Sequence, residues 1–212
     1  MGDSGLPDDI VRQVAEYYAG KLAAHGPTAR GVDWNSETGQ ALRHRQFLRL
    51  LADQHGASIL DLGCGYGDFL PFLRQHGFTG AYVGYDVAPE MIEAARRLHG
   101  EGSDRAWRVG AVPDETADYA IASGIFNVKG GVSIADWTNY LDRTIGILAR
   151  SGTLGFAFNV LSLSSDPEFR RSDLYYADPV AMLAMLLERY GRAVALLQDY
   201  GLYEFTVLAR KT

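Results

Sequence analysis

Short apolar runs alternate with helical patterns from Ser58 onward in this 212-residue chain, and this alternation limits the possible folds more than any other feature. It is typical of βα units, so we predict an α/β fold with a doubly wound, mainly parallel sheet and helices on both faces. Helices are predicted to start near Gly67, Pro89, Ile134 and Pro179. The predicted strands are Ile59–Leu62, Tyr82–Asp86, Ala106–Val109, Tyr119–Ala122, Thr153–Asn159, Val194–Asp199 and Glu204–Leu208.

Residues next to these elements support the predicted boundaries. Ser133 with Asp136 three residues later resembles a capping box at the start of a helix. The last two strands, joined through Gly201, predict an antiparallel pair at the edge of the sheet. Boundaries and strand directions are therefore both predicted by local sequence.

Two helical patterns precede the predicted sheet. The first follows Pro7 and stops before Gly26, and the second ends at Leu51. No low-complexity or Ser/Pro-rich linker separates these helices from the rest of the chain. We therefore expect residues 1–56 to form an N-terminal helical cover in the same globular unit as an α/β core at residues 57–212.

Composition and charge exclude several classes of protein. Hydrophobic residues make up 47% and charged residues 22% of the chain, which is typical of a globular protein. The formal net charge of −6 does not attract nucleic acid or an anionic membrane over long range. The single cysteine, Cys64, requires no oxidising compartment, and neither an export signal nor a membrane-spanning apolar run is present. We expect a cytoplasmic protein that acts on a small molecule.

A glycine-rich segment follows the first predicted strand, with glycines at positions 63, 65 and 67. Glycines at such a turn let the backbone approach a ligand, and the next helix offers free N–H groups. Asp68 stands where a dinucleotide-binding motif needs its third glycine, which counts against NAD and FAD. Asp86 ends the second strand, where a carboxylate can accept hydrogen bonds from a ribose diol. Asp61 is placed to face an ammonium group, directly or through water.

The chain resembles the class I S-adenosylmethionine-dependent methyltransferases over about Ser58–Asn159. The segments that carry the resemblance are Leu60–Gly67 (LDLGCGYG) and Val83–Ile92 (VGYDVAPEMI). The resemblance implies a Rossmann-like, seven-stranded sheet with its last strand antiparallel, and S-adenosylmethionine as cofactor with S-adenosylhomocysteine as product. It also implies that the methionine part lies over Gly63–Gly67 and the adenine beside Ala88 and Met91. The cofactor-binding residues predicted in this way are Asp61, Gly63, Cys64, Gly65, Gly67, Asp86, Val87, Met91, Gly110, Ala111, Ser123 and Gly124.

The segment after the third strand departs from the family, because it lacks the acidic residue that many members place near the adenine. The adenine contact then comes from the backbone of Gly110 and Ala111, or from Asp114 if the loop folds back. The nucleic-acid amino-methyltransferase signature Asp-Pro-Pro-Tyr is also absent from the fourth strand.

The predicted acceptor-binding residues come from the N-terminal helices and the loops after the fourth and fifth strands. Trp34 either covers the ligand or anchors a loop to the core, and Arg43 either pairs with a ligand carboxylate or faces solvent. Tyr17 and Tyr18 point to opposite sides, so at most one of them reaches the pocket. The full set of candidates is Tyr18, Trp34, Arg43, Asn127, Tyr175 and Tyr176.

No catalytic residue and no metal site is predicted. The five histidines, at positions 25, 44, 55, 76 and 99, are expected to face solvent or cap helices, and their spacing with Cys64 matches no metal site. Methyl transfer to oxygen or nitrogen of a small molecule by direct displacement is the predicted reaction. The alternatives are a non-catalytic binding or partner subunit of the same fold, an RNA-directed methyltransferase, and a protein that binds another nucleotide ligand.

Overall fold

The computed structural model describes residues 6–211, and the elements reported below lie in that range. A short 3-10 helix connects the first two α-helices, and another follows the fifth strand. The α-helices of the described range are α1 Asp8–His25, α2 Glu37–Leu51, α3 Phe69–Gln75, α4 Pro89–His99, α5 Ile134–Ser151 and α6 Pro179–Tyr190.

Seven strands form one sheet with the order β3-β2-β1-β4-β5-β7-β6. The first five strands pair in parallel, and β7 runs antiparallel to both of its neighbours. The doubly wound fold with a reversed last strand is therefore confirmed. The strand bounds are β1 Ile59–Leu62, β2 Tyr82–Asp86, β3 Arg105–Val109, β4 Ala117–Ala122, β5 Gly152–Leu161, β6 Val194–Leu197 and β7 Glu204–Arg210.

The predicted strands are all present, and their ends differ from prediction by at most about two residues. The caps also form, since the Ser133 hydroxyl accepts from the Asp136 N–H and the Asp178 carboxylate accepts from the Val180 N–H. Helix α3 starts at Phe69 rather than near Gly67. Gly67 has a φ of +84°, which lies outside the helical region, so the helix begins only after it.

Apolar side chains pack on both faces of the sheet. Along β1, Leu60 packs with the cluster that contains α5, whereas Ile59 packs with the cluster that contains α3. This alternation follows from strand geometry, because successive side chains point to opposite faces. Both faces are covered by helices, as a mainly parallel sheet requires.

The two helices before the sheet pack in different places. Helix α1 contacts α4 and the 3-10 segment Ala29–Val32, while α2 packs on β5, β7 and α3. Ser36 caps α2, because its hydroxyl accepts from the Gly39 N–H at 3.1 Å. In the segment between the helices, Val32 lies against Gly65 after β1 and Trp34 lies against Gly124 after β4, so this segment crosses the carboxyl ends of these two strands.

Within residues 6–211, no helix combines the length and apolar character needed to cross a membrane.

Candidate functional site

A cavity of about 910 Å³, counting its space open to solvent, lies at the carboxyl ends of β1, β2 and β4. The sheet order reverses between β1 and β4, because β2 and β3 continue on one side of β1 and β4 lies on the other. Open α/β sheets bind ligands at this switch point, where the loops diverge and leave a crevice. Topology alone thus places the glycine loop after β1 next to the loop after β4.

Asp86 is the last residue of β2, and its buried carboxylate lines the cavity. One carboxylate oxygen accepts from the Gly65 N–H at 2.8 Å and the other from the Ala88 N–H at 2.9 Å. Burial raises its pKa to about 6, against the lowering effect of these N–H groups. The two bonds hold both oxygens in place and leave lone pairs for further donors.

Asp61, the third residue of β1, is also buried and lines the cavity. The Tyr82 hydroxyl donates to it at 2.5 Å. Burial raises its pKa to about 7, Tyr82 lowers it, and the charge of Asp86 raises it further. A positive ligand group at this position would stabilise the ionised form.

The residues predicted to bind the cofactor lie together. With Gly67 as the exception, each of them lines the cavity. A Cβ on Gly67 would instead lie 2.5 Å from the buried Trp107 ring. The lack of a side chain at Gly67 therefore lets Trp107 pack against the glycine loop. Of the two alternatives near the adenine, Gly110 and Ala111 line the cavity, while Asp114 accepts a hydrogen bond from Tyr85 outside it.

Trp34 and Gly124 meet at the cavity wall. Gly124 has a φ of +81°, and a Cβ at this position would lie 2.3 Å from the Trp34 ring. The Gly124 N–H donates to the Asn159 side chain at 2.6 Å, which fixes the loop after β4. Gly124 therefore combines a left-handed backbone with close ring contact, and no other residue type satisfies both.

The substitution Gly124→Ala is expected to lower the free energy of unfolding by at least about 1–2 kcal/mol, because the left-handed backbone becomes strained and Trp34 must move. Chemical denaturation measures the loss. The matched control is Gly131→Ala, since a Cβ at Gly131 meets no atom within 4 Å and its φ is not positive. Equal stability of the two variants would contradict the close contact.

Arg43 does not face solvent, which corrects one of the two alternatives predicted for it, and it does not line the cavity. Its Nε donates to the fully buried Glu204 at 2.8 Å, and its guanidinium stacks on the Trp34 ring at 3.8 Å from the centroid. Glu204 also accepts from Asn159 at 3.2 Å and from the Tyr200 hydroxyl at 3.2 Å. Glu204 therefore connects two parts of the site. It reaches Trp34 through Arg43, and it reaches the loop at Gly124 through Asn159.

Asn127, Tyr175 and Tyr176 do not line the cavity, so the structure does not bring these three predicted acceptor-binding residues to it. The Asn127 side chain accepts from the Leu161 N–H, and its carbonyl accepts from the Tyr175 N–H. The Tyr175 hydroxyl lies 3.1 Å from Thr138, and the Tyr176 hydroxyl accepts from the Arg171 N–H. Backbone hydrogen bonds join the loops after β4 and β5, as from the Lys129 N–H to the Asp173 carbonyl. The Tyr175 side chain instead bonds to α5, and the Tyr176 side chain bonds within its own loop.

His44 is the main cavity residue that sequence analysis missed. It is 4% exposed, against the expectation of a solvent-facing or capping side chain, and its ring packs on Phe69 and Phe72. Gln40, one helical turn earlier, also lines the cavity and exchanges hydrogen bonds with Tyr66. The four-residue spacing of Gln40 and His44 is a helical signal that could have placed both on the inward face.

The remaining tyrosines and histidines lie partly where the sequence predicts them. Tyr18 lines the cavity, while the Tyr17 hydroxyl donates to Asp33 at 2.8 Å, so the two tyrosines do point different ways. His25, His55 and His76 are exposed as expected, whereas His99 is half-buried.

Comparisons with known proteins agree with this geometry. A model of the methyltransferase domain family matches residues 34–181. The chain is 48% identical over 155 residues to "Putative methyltransferase Rv1506c" of Mycobacterium tuberculosis, covering 73% of this chain and 93% of that protein. It is 31% identical over 150 residues to the aklanonic acid methyltransferase DauC of Streptomyces sp. strain C5, covering 69% and 67%.

A solved structure has the same fold. It is magnesium protoporphyrin IX methyltransferase from Synechocystis PCC 6803 with bound S-adenosylmethionine, and it aligns over 100% of both chains with a TM-score of 0.67 at 14% identity. The family match covers the glycine loop, Asp86 and the loop after β4, which are the parts that meet at the cavity. The chain therefore belongs to the methyltransferase domain family, and it has the fold of a methyltransferase solved with bound S-adenosylmethionine.

Proposed function

We propose that this enzyme transfers a methyl group from S-adenosylmethionine to an oxygen or nitrogen of a small-molecule acceptor by direct displacement. The observation that carries the proposal is the Asp86 carboxylate, which lines the cavity with both oxygens held by backbone N–H groups. In this position it accepts hydrogen bonds from the ribose diol. Gly63–Gly65 lie beside the methionine part, and Met91, Gly110 and Ala111 lie beside the adenine.

The charge of the cavity suits this cofactor. S-Adenosylmethionine, when bound, supplies a methyl group activated by a sulfonium and carries a second positive charge on its ammonium. Asp61 faces the ammonium, and the ionised carboxylate is stabilised by that charge. Ser123 and Gly124 border the reacting position, and Trp34 covers it.

Residues 1–56 act as a cover over the core at residues 57–212. Support comes from the cavity lining, to which Tyr18 and Trp34 contribute from the N-terminal side. Both are proposed to contact the acceptor. Holding the acceptor in line with the methyl group supplies much of the rate acceleration, because positioning replaces a bimolecular encounter.

The small-molecule class of the acceptor is supported by two independent facts. The Streptomyces relative is named for aklanonic acid and the Synechocystis enzyme for magnesium protoporphyrin IX, which are both small molecules. The net charge of −6 favours such acceptors over RNA, whose phosphates it repels.

Calorimetric titration with S-adenosylhomocysteine tests the cofactor part of the proposal. We expect binding that tightens about tenfold between about pH 6 and about pH 7.5. Burial raises the pKa of Asp61 to about 7 in the ligand-free protein, so the lower pH keeps the carboxyl protonated and unable to pair with the ammonium. Ligand binding favours the ionised form, lowers this pKa and releases a proton.

The control for this titration is Asp61→Asn, which cannot ionise at this position. It is expected to bind more weakly, with only the roughly twofold pH dependence that Asp86, with its pKa raised to about 6, contributes. Wild-type affinity that is constant or rises toward low pH would contradict the role of Asp61. An absence of binding at every pH would contradict the proposed function itself.

A further inference from the structure

One part of the cavity lining, which we call the neutral wall, comes from the segment before β1. Its members in the described part of the chain share one property, which is that none is Asp, Glu, Lys or Arg. They are Leu6, Val14, Tyr18, Val32, Trp34, Gln40 and His44. This wall is mainly apolar, with four side chains that can form hydrogen bonds, those of Tyr18, Trp34, Gln40 and His44.

Those four hydrogen-bonding side chains are neutral. Burial lowers the pKa of His44 to about 3, and the charge of Arg43 lowers it further. Burial also raises the pKa of the Tyr18 phenol well above its usual range, so the hydroxyl keeps its proton. The His44 Nδ1 is buried and has no hydrogen-bond partner among the described residues. An unsatisfied buried nitrogen in a ligand cavity favours a ligand with its own hydrogen-bonding group.

The charged residues that line the cavity within residues 6–211 are all acidic: Asp61, Asp68 and Asp86. Asp68 lies near the neutral wall, with a carboxylate oxygen 3.9 Å from the His44 Nδ1. Arg43 is close in sequence, but it is held by Glu204 behind Trp34 and does not line the cavity. A carboxylate or phosphate on an acceptor would lose its hydration here and gain no cation in return.

We propose that the acceptor is a neutral, mostly apolar molecule, with an aromatic ring against Trp34 and one hydroxyl or amine as its polar group, and that anionic acceptors bind more weakly, in contrast to the acids for which the aklanonic acid and trans-aconitate methyltransferases are named. This inference rests on the proposed function, because it assigns the neutral wall to the acceptor. It narrows the substrate class to phenol-like or aromatic amine compounds. Selectivity comes from the absence of a cation in the cavity as much as from attractive contacts.

Binding to the full chain saturated with S-adenosylhomocysteine tests the inference. The probes are naphthol, naphthylamine and naphthoate with the same ring position, titrated by calorimetry. We expect naphthol and naphthylamine to bind at least about tenfold more tightly than naphthoate. Equal or tighter binding of naphthoate would overturn the inference, and so would the absence of binding by all three to the loaded protein. Failure of S-adenosylhomocysteine itself to bind would instead contradict the proposed function, on which the inference rests.

A gain of charge gives a second test. Gln40→Lys places a cation in the neutral wall and is expected to improve naphthoate binding about tenfold relative to naphthol. Gln54→Lys adds the same charge at an exposed position outside the cavity and should leave the preference unchanged. Retained S-adenosylhomocysteine affinity shows that each variant is folded. An unchanged preference in folded Gln40→Lys would contradict the electrostatic basis of the selectivity.

Discussion

Replacing Asp86 with alanine is expected to weaken S-adenosylhomocysteine binding at least about a hundredfold. A hydrogen bond to a charged group contributes about 1.5–3 kcal/mol, and the ribose diol can donate two of them to this carboxylate. The substitution also frees the Gly65 and Ala88 N–H groups, which the carboxylate now holds at 2.8 and 2.9 Å. The glycine loop then loses its fixed position at the same time as the ligand loses its partner.

Two variants separate these effects. Asp86→Asn keeps one acceptor oxygen and the size of the side chain, so we expect a loss intermediate between wild type and Asp86→Ala. Asp114→Ala removes a carboxylate that bonds to Tyr85 outside the cavity, and its affinity should stay within about twofold of wild type. Calorimetry gives the affinities, and thermal unfolding of each variant reports on folding. Wild-type affinity in folded Asp86→Ala would refute the ribose assignment and remove the observation that carries the proposed function.

Replacing Glu204 with alanine is expected to have the largest effect on stability, about 3–5 kcal/mol. Glu204 is fully buried, and its removal leaves the Arg43 guanidinium, only 11% exposed, without its carboxylate. Burial raises the pKa of Glu204, and the charge of Arg43, together with the neighbouring hydrogen bonds, opposes that rise. Urea denaturation measures the loss.

The matched control is Glu93→Ala, which breaks the exposed Glu93–Arg97 pair on α4 and should cost less than about 1 kcal/mol. A double variant, Glu204→Ala with Arg43→Met, removes the buried charge as well and should recover part of the lost stability. If Glu204→Ala costs no more than Glu93→Ala, the pair does not support the site. In that case Trp34 and the Gly124 loop would be held by other contacts.

The rate of methyl transfer is a second measurement that tests the Arg43–Glu204 pair. Arg43 stacks on Trp34, and Asn159 joins Glu204 to the Gly124 N–H, so both walls of the reacting position depend on one carboxylate. A loss of positioning there lowers the rate of the chemical step more than it weakens cofactor binding at Asp86. We therefore expect Asp86 variants to change mainly cofactor binding and Glu204 variants to change mainly the rate of methyl transfer.

Most of the fold could be predicted because its signals are local. Each strand is a short apolar run, and Ser133, Asp178 and Pro89 mark helix starts through bonds within a few residues. The cavity placement of Asp61, Gly63 and Asp86 follows for the same reason, since parallel strands bring their carboxyl ends to one edge. A residue at a strand end is therefore located by its own element.

The missed or misplaced residues depend on partners far along the chain. Arg43 and Glu204 are 161 residues apart, and nothing in either local sequence indicates that they pair. Asn127 and Tyr175 have the polar or amphipathic character expected of a binding loop, but the loops after β4 and β5 bond to each other instead.

The sequence by itself determined the order of the strands and helices along the chain, the glycine loop and the carboxylates at the strand ends. It did so because hydrophobic periodicity and capping act over a few residues. Only the tertiary structure decided that His44 is buried against the cavity, that Arg43 lies behind Trp34, and that the N-terminal wall carries no charge. Burial and charge pairing depend on which distant segments meet, and that is set by the packing of the whole chain.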